Sequence, residues 1–195
     1  MSESLPGVAP PSPAVAALIR AGVERVVDAP AEWVQEYNDA MMHGAGMSDV
    51  AADQALARVA VATNMGNLAR WASANHTSPG TRVPAVVDNA ATDMIHEIVR
   101  RGLDAAALDA YRTAQNVAWR RWMEICFGLT DDAALLRELL EITAVSIATF
   151  IDDTVDLLAQ RIAVARAQLA GDTHAQRRAA VALLLEGAPV ADARA

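Results

Sequence analysis

The sequence predicts an all-α protein: a bundle of about six helices, with one long helix leading out of it and a short C-terminal helix. Three observations carry that expectation. Apolar residues recur at three- and four-residue spacing along most of the chain. Hydrophobic residues make up 53% of the sequence but aromatics only 4%, and alanine dominates. Such a mixture favours closely packed helices over sheet, which draws on more Val, Ile, Thr and aromatics. Proline, glycine and capping residues also fall at intervals of helix length.

Residues 1–12, with Pro6, Pro10 and Pro11, read as a disordered leader. Ser12-Pro13 supplies an N-cap and a first-turn proline for a helix reaching about Val27. A second helix starts at Pro30, with Trp33, Val34, Tyr37 and Met41 on one face, and ends in the loop His43-Gly44-Ala45-Gly46. A third, capped by Ser48 or Asp49, extends to about Ala74 with Gly66 inside it, expected to permit a close helix crossing or else to line a cavity. Ser78-Pro79-Gly80 marks a loop. Pro84 opens a fourth helix, with Val87, Ala91, Met94 and Ile98 as its buried stripe and Gly102 just past its end. The fifth helix begins at Leu103 and closes near Gly128.

The sixth is the longest. From Leu136 through Leu140, Thr143, Ile147, Ile151, Val155, Leu158, Ile162, Ala165 and Leu169 the stripe is unbroken until Gly171. Residues 132–170 as one helix measure roughly 58 Å at 1.5 Å per residue. A compact body of this chain length is only about 42 Å across, so the helix is expected to outrun its globule. A second stripe, Phe150, Leu157 and Val164, leaves it apolar on more than one side and marks candidate residues for a homodimer interface. A short helix over about 173–185 follows, and residues 171–195 read as that helix and a linker. The bundle proper is residues 13–170.

Net charge is −8, and every one of the sixteen basic residues is arginine. That balance excludes sequence-independent attraction to nucleic acid. The pairs Arg100-Arg101, Arg120-Arg121 and Arg177-Arg178 read as solvated helix faces. No stretch approaches the ~20 apolar residues of a membrane span, and the N-terminus lacks the pattern of a signal peptide. A cytoplasmic protein is expected, with Cys126 as a buried structural thiol.

On the fifth helix Leu108, Tyr111, Gln115, Trp119, Trp122 and Cys126 share one face. Tyr111, Arg112, Gln115 and Trp119 are therefore candidates for lining a small-molecule pocket, or else core residues bonding a neighbouring helix. Asp152, Asp153 and Asp156 match the DDxxD pattern with which all-helical prenyl-diphosphate enzymes hold Mg²⁺. These acids point away from the apolar stripe, and no second metal motif accompanies them, so an Mg²⁺-dependent enzyme is the alternative reading and no metal or other cofactor is expected. His96 shares a polar face with Asn89, Asp93 and Arg100, the wrong side for a haem ligand. No Gly-rich phosphate loop, Gly-x-Ser-x-Gly elbow or Cys-x-x-Cys pair occurs.

The run at 103–119, with Ala110-Tyr111-Arg112 and Trp119 two turns later, resembles the helical N-terminal domain of PucR/CdaR-type actinobacterial transcription regulators. That domain is related to the N-terminal domains of RsbR-type stressosome proteins. Phe150-Ile151-Asp152, residues 161–169, Arg177-Arg178 and residues 183–190 extend the similarity over roughly residues 14–190. The resemblance implies a globin-like, haem-free bundle that acts as a non-catalytic sensory and dimerisation domain. It would relay a signal through its long helix to a downstream DNA-binding domain that this chain lacks. A ligand-free structural interaction domain is a further alternative.

Overall fold

Ser12 and Pro13 begin the first helix as their chemistry dictates. The Ser12 hydroxyl accepts the Val15 N–H at 3.3 Å, and proline sits in the first turn, where a missing N–H costs nothing. A computed structural model describes residues 3–43 and 47–185. It is an all-α helical bundle: α1 (Pro13–Val27), α2 (Ala31–Met42), α3 (Ser48–Ala52), α4 (Gln54–Thr77), α5 (Asn89–Arg101), α6 (Asp104–Phe127) and α7 (Ala133–Leu185). Among the described residues the sole β pairing is one isolated bridge between Ser4 and Thr81.

Two helix starts differ from expectation, and aspartate explains both. The third predicted helix is split because the Asp53 carboxylate accepts the N–H groups of Ala55 and Leu56 at 2.9 and 3.2 Å, restarting the chain as α4. The Leu56 N–H and the Arg101 guanidinium hold that carboxyl below its ordinary range. Residues 82–88 are not helical, because Asp88 caps α5 by accepting the Ala91 N–H at 2.8 Å. Gly102 then ends α5 in the left-handed conformation at φ 70°.

The long helix is longer than its sequence suggests. α7 runs 53 residues without a break, about 80 Å, and absorbs the separate C-terminal helix expected after Gly171. A Cβ at Gly171 would meet nothing within 4 Å. Glycine inside a helix costs only about 1 kcal/mol, too little to stop one with strong neighbours. No described residue after Ala165 is buried, so roughly the last 30 Å of the helix runs past the bundle.

The segment expected to be a disordered leader is packed instead. Leu5 is buried in the main core, the Glu3 carbonyl accepts the Arg82 N–H at 2.8 Å, and the Ser12 N–H donates to Glu138 of α7 at 2.7 Å. Three prolines mask this in the sequence, yet the same prolines reduce the entropy lost on ordering.

The main core joins α1, α4, α6 and α7 through Val15, Ile19, Val23, Trp71, Trp122, Ile125, Leu139, Ile142 and Phe150. A second cluster holds Met41, Met47, Val50, Leu56 and Ala60, and a third packs Ile95 and Val99 of α5 on Leu158, Ile162 and Ala165 of α7. The close crossing occurs at Gly22, not Gly66. A Cβ on Gly22 would lie 2.6 Å from the Trp122 ring, whereas one on Gly66 would meet nothing within 4 Å. Gly22→Ala is therefore expected to destabilise the protein by about 1–3 kcal/mol, and Gly66→Ala to stabilise it by up to about 1 kcal/mol. Urea denaturation with a common m-value reads both.

Candidate functional site, an apolar cavity against the long helix

Trp71 of α4 and Trp122 of α6 meet edge to face, with ring centroids 5.2 Å apart and planes at 84°. Each indole N–H needs an acceptor when buried, and both find one on α7. Trp71 donates to the Ser146 hydroxyl at 3.1 Å, and Trp122 to the Thr143 hydroxyl at 2.7 Å. The Thr143 hydroxyl in turn donates to the Leu139 carbonyl at 2.7 Å. Asn75 completes the network: its amide nitrogen donates to the Trp71 carbonyl at 3.0 Å, and its oxygen accepts the Gly80 N–H at 3.4 Å. Among the described residues no buried side-chain polar atom lacks a partner.

The two tryptophans do not fill the space beside them. A cavity of about 270 Å³ opens between the end of α1, α2, α4, α6 and α7. Trp33, Val34 and Tyr37 wall it from α2, Asn64, Asn67, Leu68 and Trp71 from α4, and Ala114, Val117, Ala118 and Trp122 from α6. Ile147, Phe150 and Ile151 of α7 complete the wall. Arg121 stands over the Trp33 ring, its guanidinium carbon 4.9 Å from the centroid. It donates to Glu36 through Nε at 3.1 Å and again through Nη2, and to Glu124 at 2.7 Å. Those two carboxylates hold its pKa above the ordinary arginine value, so the charge beside the cavity is already neutralised. Asn64 donates to Asn38 at 3.1 Å.

Of the α2 face read from the sequence, Trp33, Val34 and Tyr37 wall the cavity, and Met41 packs in the second cluster. Of the α6 face read from the sequence, Trp122 lines the cavity, whereas Leu108, Gln115 and Trp119 do not. The lining residues 114, 117, 118, 121, 122 and 125 are centred roughly a third of a turn from Leu108, Gln115 and Trp119. Trp119 packs against the main core and Leu108 against the α5–α7 cluster. Gln115 is half-buried but does not line the cavity. The side chains of Tyr111 and Arg112 lie outside the described residues. Arg121, read as part of a solvated pair, is instead held against α2. Its α2 partner Glu36 is 85 residues away in sequence, and only the spacing of Trp33 and Glu36 on one turn hints at that contact.

The proposed interface stripe also divides. Phe150 is 4% exposed and belongs to the chain's own core, because α7 is wrapped at that level by α1, α4 and α6. Leu157 is half-buried, and Val164 is 54% exposed. Of the DDxxD acids, Asp152 and Asp156 are exposed, while Asp153 is bound by the Arg82 guanidinium through two hydrogen bonds of 2.7 and 2.8 Å. Arg82 also reaches Glu3 at 3.0 Å. Asp153 thus ties the N-terminal segment to α7, and its oxygens are not presented with those of Asp152 and Asp156. Among the described residues no group of three or more His, Cys, Asp or Glu converges on a metal site, and no helix is long and apolar enough to cross a membrane. His96 is exposed on α5.

Comparisons with known protein families, with characterised proteins and with solved structures find no match.

Two expectations follow from the core beneath the cavity. Ser146→Ala removes the acceptor of a buried indole N–H, and a loss of about 1–3 kcal/mol in urea unfolding is expected. Cys126 is fully buried, and desolvation pushes its thiol from 9.0 up to about 12. Raised in the folded state, it favours that state below pH 9 and ceases to do so as pH climbs toward 12. At pH 8 Ellman's reagent should therefore leave native protein unlabelled and titrate one thiol in urea.

Proposed function

We propose that this chain is a non-catalytic sensory and regulatory module that binds a small apolar molecule in the cavity and transmits occupancy along α7. The observation that carries the reading is shared construction: Ile147, Phe150 and Ile151 wall the cavity and belong to the same unbroken helix that runs on to Leu185. From Phe150 to Leu185 that is about 52 Å. A guest that repacks those three side chains acts directly on the base of the rod. Closely packed interfaces respond to such changes by shifting between discrete arrangements.

In this reading two copies pair along one side of α7, from Leu157 and Val164 into the part that runs past the bundle. The output would be a DNA-binding domain coupled to the end of α7, as in the PucR/CdaR-type regulators that the sequence resembles. The module itself makes no direct contact with nucleic acid and works in the cytoplasm. The exposed apolar residues Val164, Leu169 and Val181 on a helix that outruns its bundle support the pairing.

Sedimentation equilibrium of the whole chain at tens of micromolar is expected to give a dimer. Ala118→Phe, which places a ring in the cavity, is expected to change amide exchange across residues 166–182 by at least threefold. A monomer whose distal α7 exchanges identically in both proteins would overturn the proposal.

A further inference from the structure

Resting on that reading, we infer the chemical class of the cavity's ligand: an uncharged, planar aromatic molecule of about two fused rings carrying one hydrogen-bonding group, which Asn67 receives. Size sets the first limit. A dry cavity of roughly 150 Å³ takes up benzene, so 270 Å³ leaves room for a second ring.

The wall sets the shape. The whole chain has only eight aromatic residues, four Trp, two Tyr and two Phe, and five of them, Trp33, Tyr37, Trp71, Trp122 and Phe150, line this one space. Aromatic rings prefer offset and edge-to-face partners, and such a concentration favours a flat guest over a flexible aliphatic one.

Charge is settled by Arg121. It is the sole cation among the described lining residues, and it is already bonded to Glu36 and Glu124 and stacked on Trp33. With Glu32 and Asp39 also on the neighbouring outer face of α2, a carboxylate guest would enter a region of net negative charge.

Asn67 supplies the polar contact. It is 9% exposed, lines the cavity one turn before Trp71, and its carboxamide makes no hydrogen bond to any described residue. The same side chain borders the shallow groove between α4 and residues 86–91, so it stands in the wall separating the two spaces. No enclosed polar side-chain atom among the described residues is left unpaired, so the Asn67 carboxamide borders open space, where its donor and acceptor are a ready partner for one hydroxyl or carbonyl.

Isothermal titration of the full chain with three probes on related skeletons tests this. The probes are 2-naphthol, the saturated decahydro-2-naphthol, and the anion 2-naphthoate. 2-Naphthol is expected to bind, with the other two at least fivefold weaker. Asn67→Leu, which removes no protein hydrogen bond, should weaken 2-naphthol about threefold to tenfold while leaving its advantage over the saturated probe. Equal or tighter binding of decahydro-2-naphthol or of 2-naphthoate overturns the aromatic or the neutral assignment, and an unchanged affinity in Asn67→Leu overturns the role of Asn67. If no probe binds, the ligand class is wrong. The regulatory reading then stands or falls separately, on whether Ala118→Phe alters exchange in the distal part of α7.

Discussion

The bundle depends on the pair of indoles at its centre and on the two hydroxyls that receive them. Trp71 and Trp122 come from different helices, yet both donate to α7, at positions three residues apart. That arrangement fixes α7 in rotation and in height. Turning the helix by one residue, 100°, would leave two indole N–H groups buried without acceptors, a penalty of about 1–3 kcal/mol each. Apolar packing alone is more forgiving, because a rotated alanine- and leucine-rich helix still presents hydrocarbon to its neighbours. The polar contacts therefore supply register, and the surrounding Val, Ile and Leu supply most of the burial. Gly22 belongs to the same construction, since only a residue without a Cβ lets α1 close over the Trp122 ring.

Fixing the tryptophans by their nitrogens also explains why a space remains beside them. Rings tethered at one edge cannot slide to fill the gap between α2 and α4, and the alanines at 114 and 118 on α6 are too short to do so. Arg121 then closes the α2 side, its planar group laid on Trp33 and its charge divided between two glutamates. The result is an apolar pocket, open to solvent on one side, whose one charged neighbour is already occupied and which is bounded by the helix that leaves the bundle.

Much of this was legible in the sequence wherever a signal is local. Ser12-Pro13 and Gly102 mark true helix ends, and the Trp33, Val34, Tyr37 face of α2 is the face that packs. The long stripe from Leu136 to Leu169 is indeed one helix. Misreadings arose where two local preferences competed. Asp53 and Asp88 won as caps over the flanking apolar periodicity, and Gly171 lost to the helix on either side of it. The cavity itself was only half visible. Periodicity identifies the α6 residues that share a face, but a helix with alanine on one side and aromatics on another can be buried on both. Which side meets α2 is decided by the Arg121–Glu36 contact, a pairing of distant segments that no window of sequence contains.

The chain's opening residues are stitched to its longest element. Glu3 and Asp153 grip the same Arg82 guanidinium, Leu5 is sunk in the core, and the Ser12 amide hangs from Glu138. The start of the chain and the middle of its longest helix therefore share one fastening, so a change of charge at Glu3 or at Asp153 is felt by the same guanidinium.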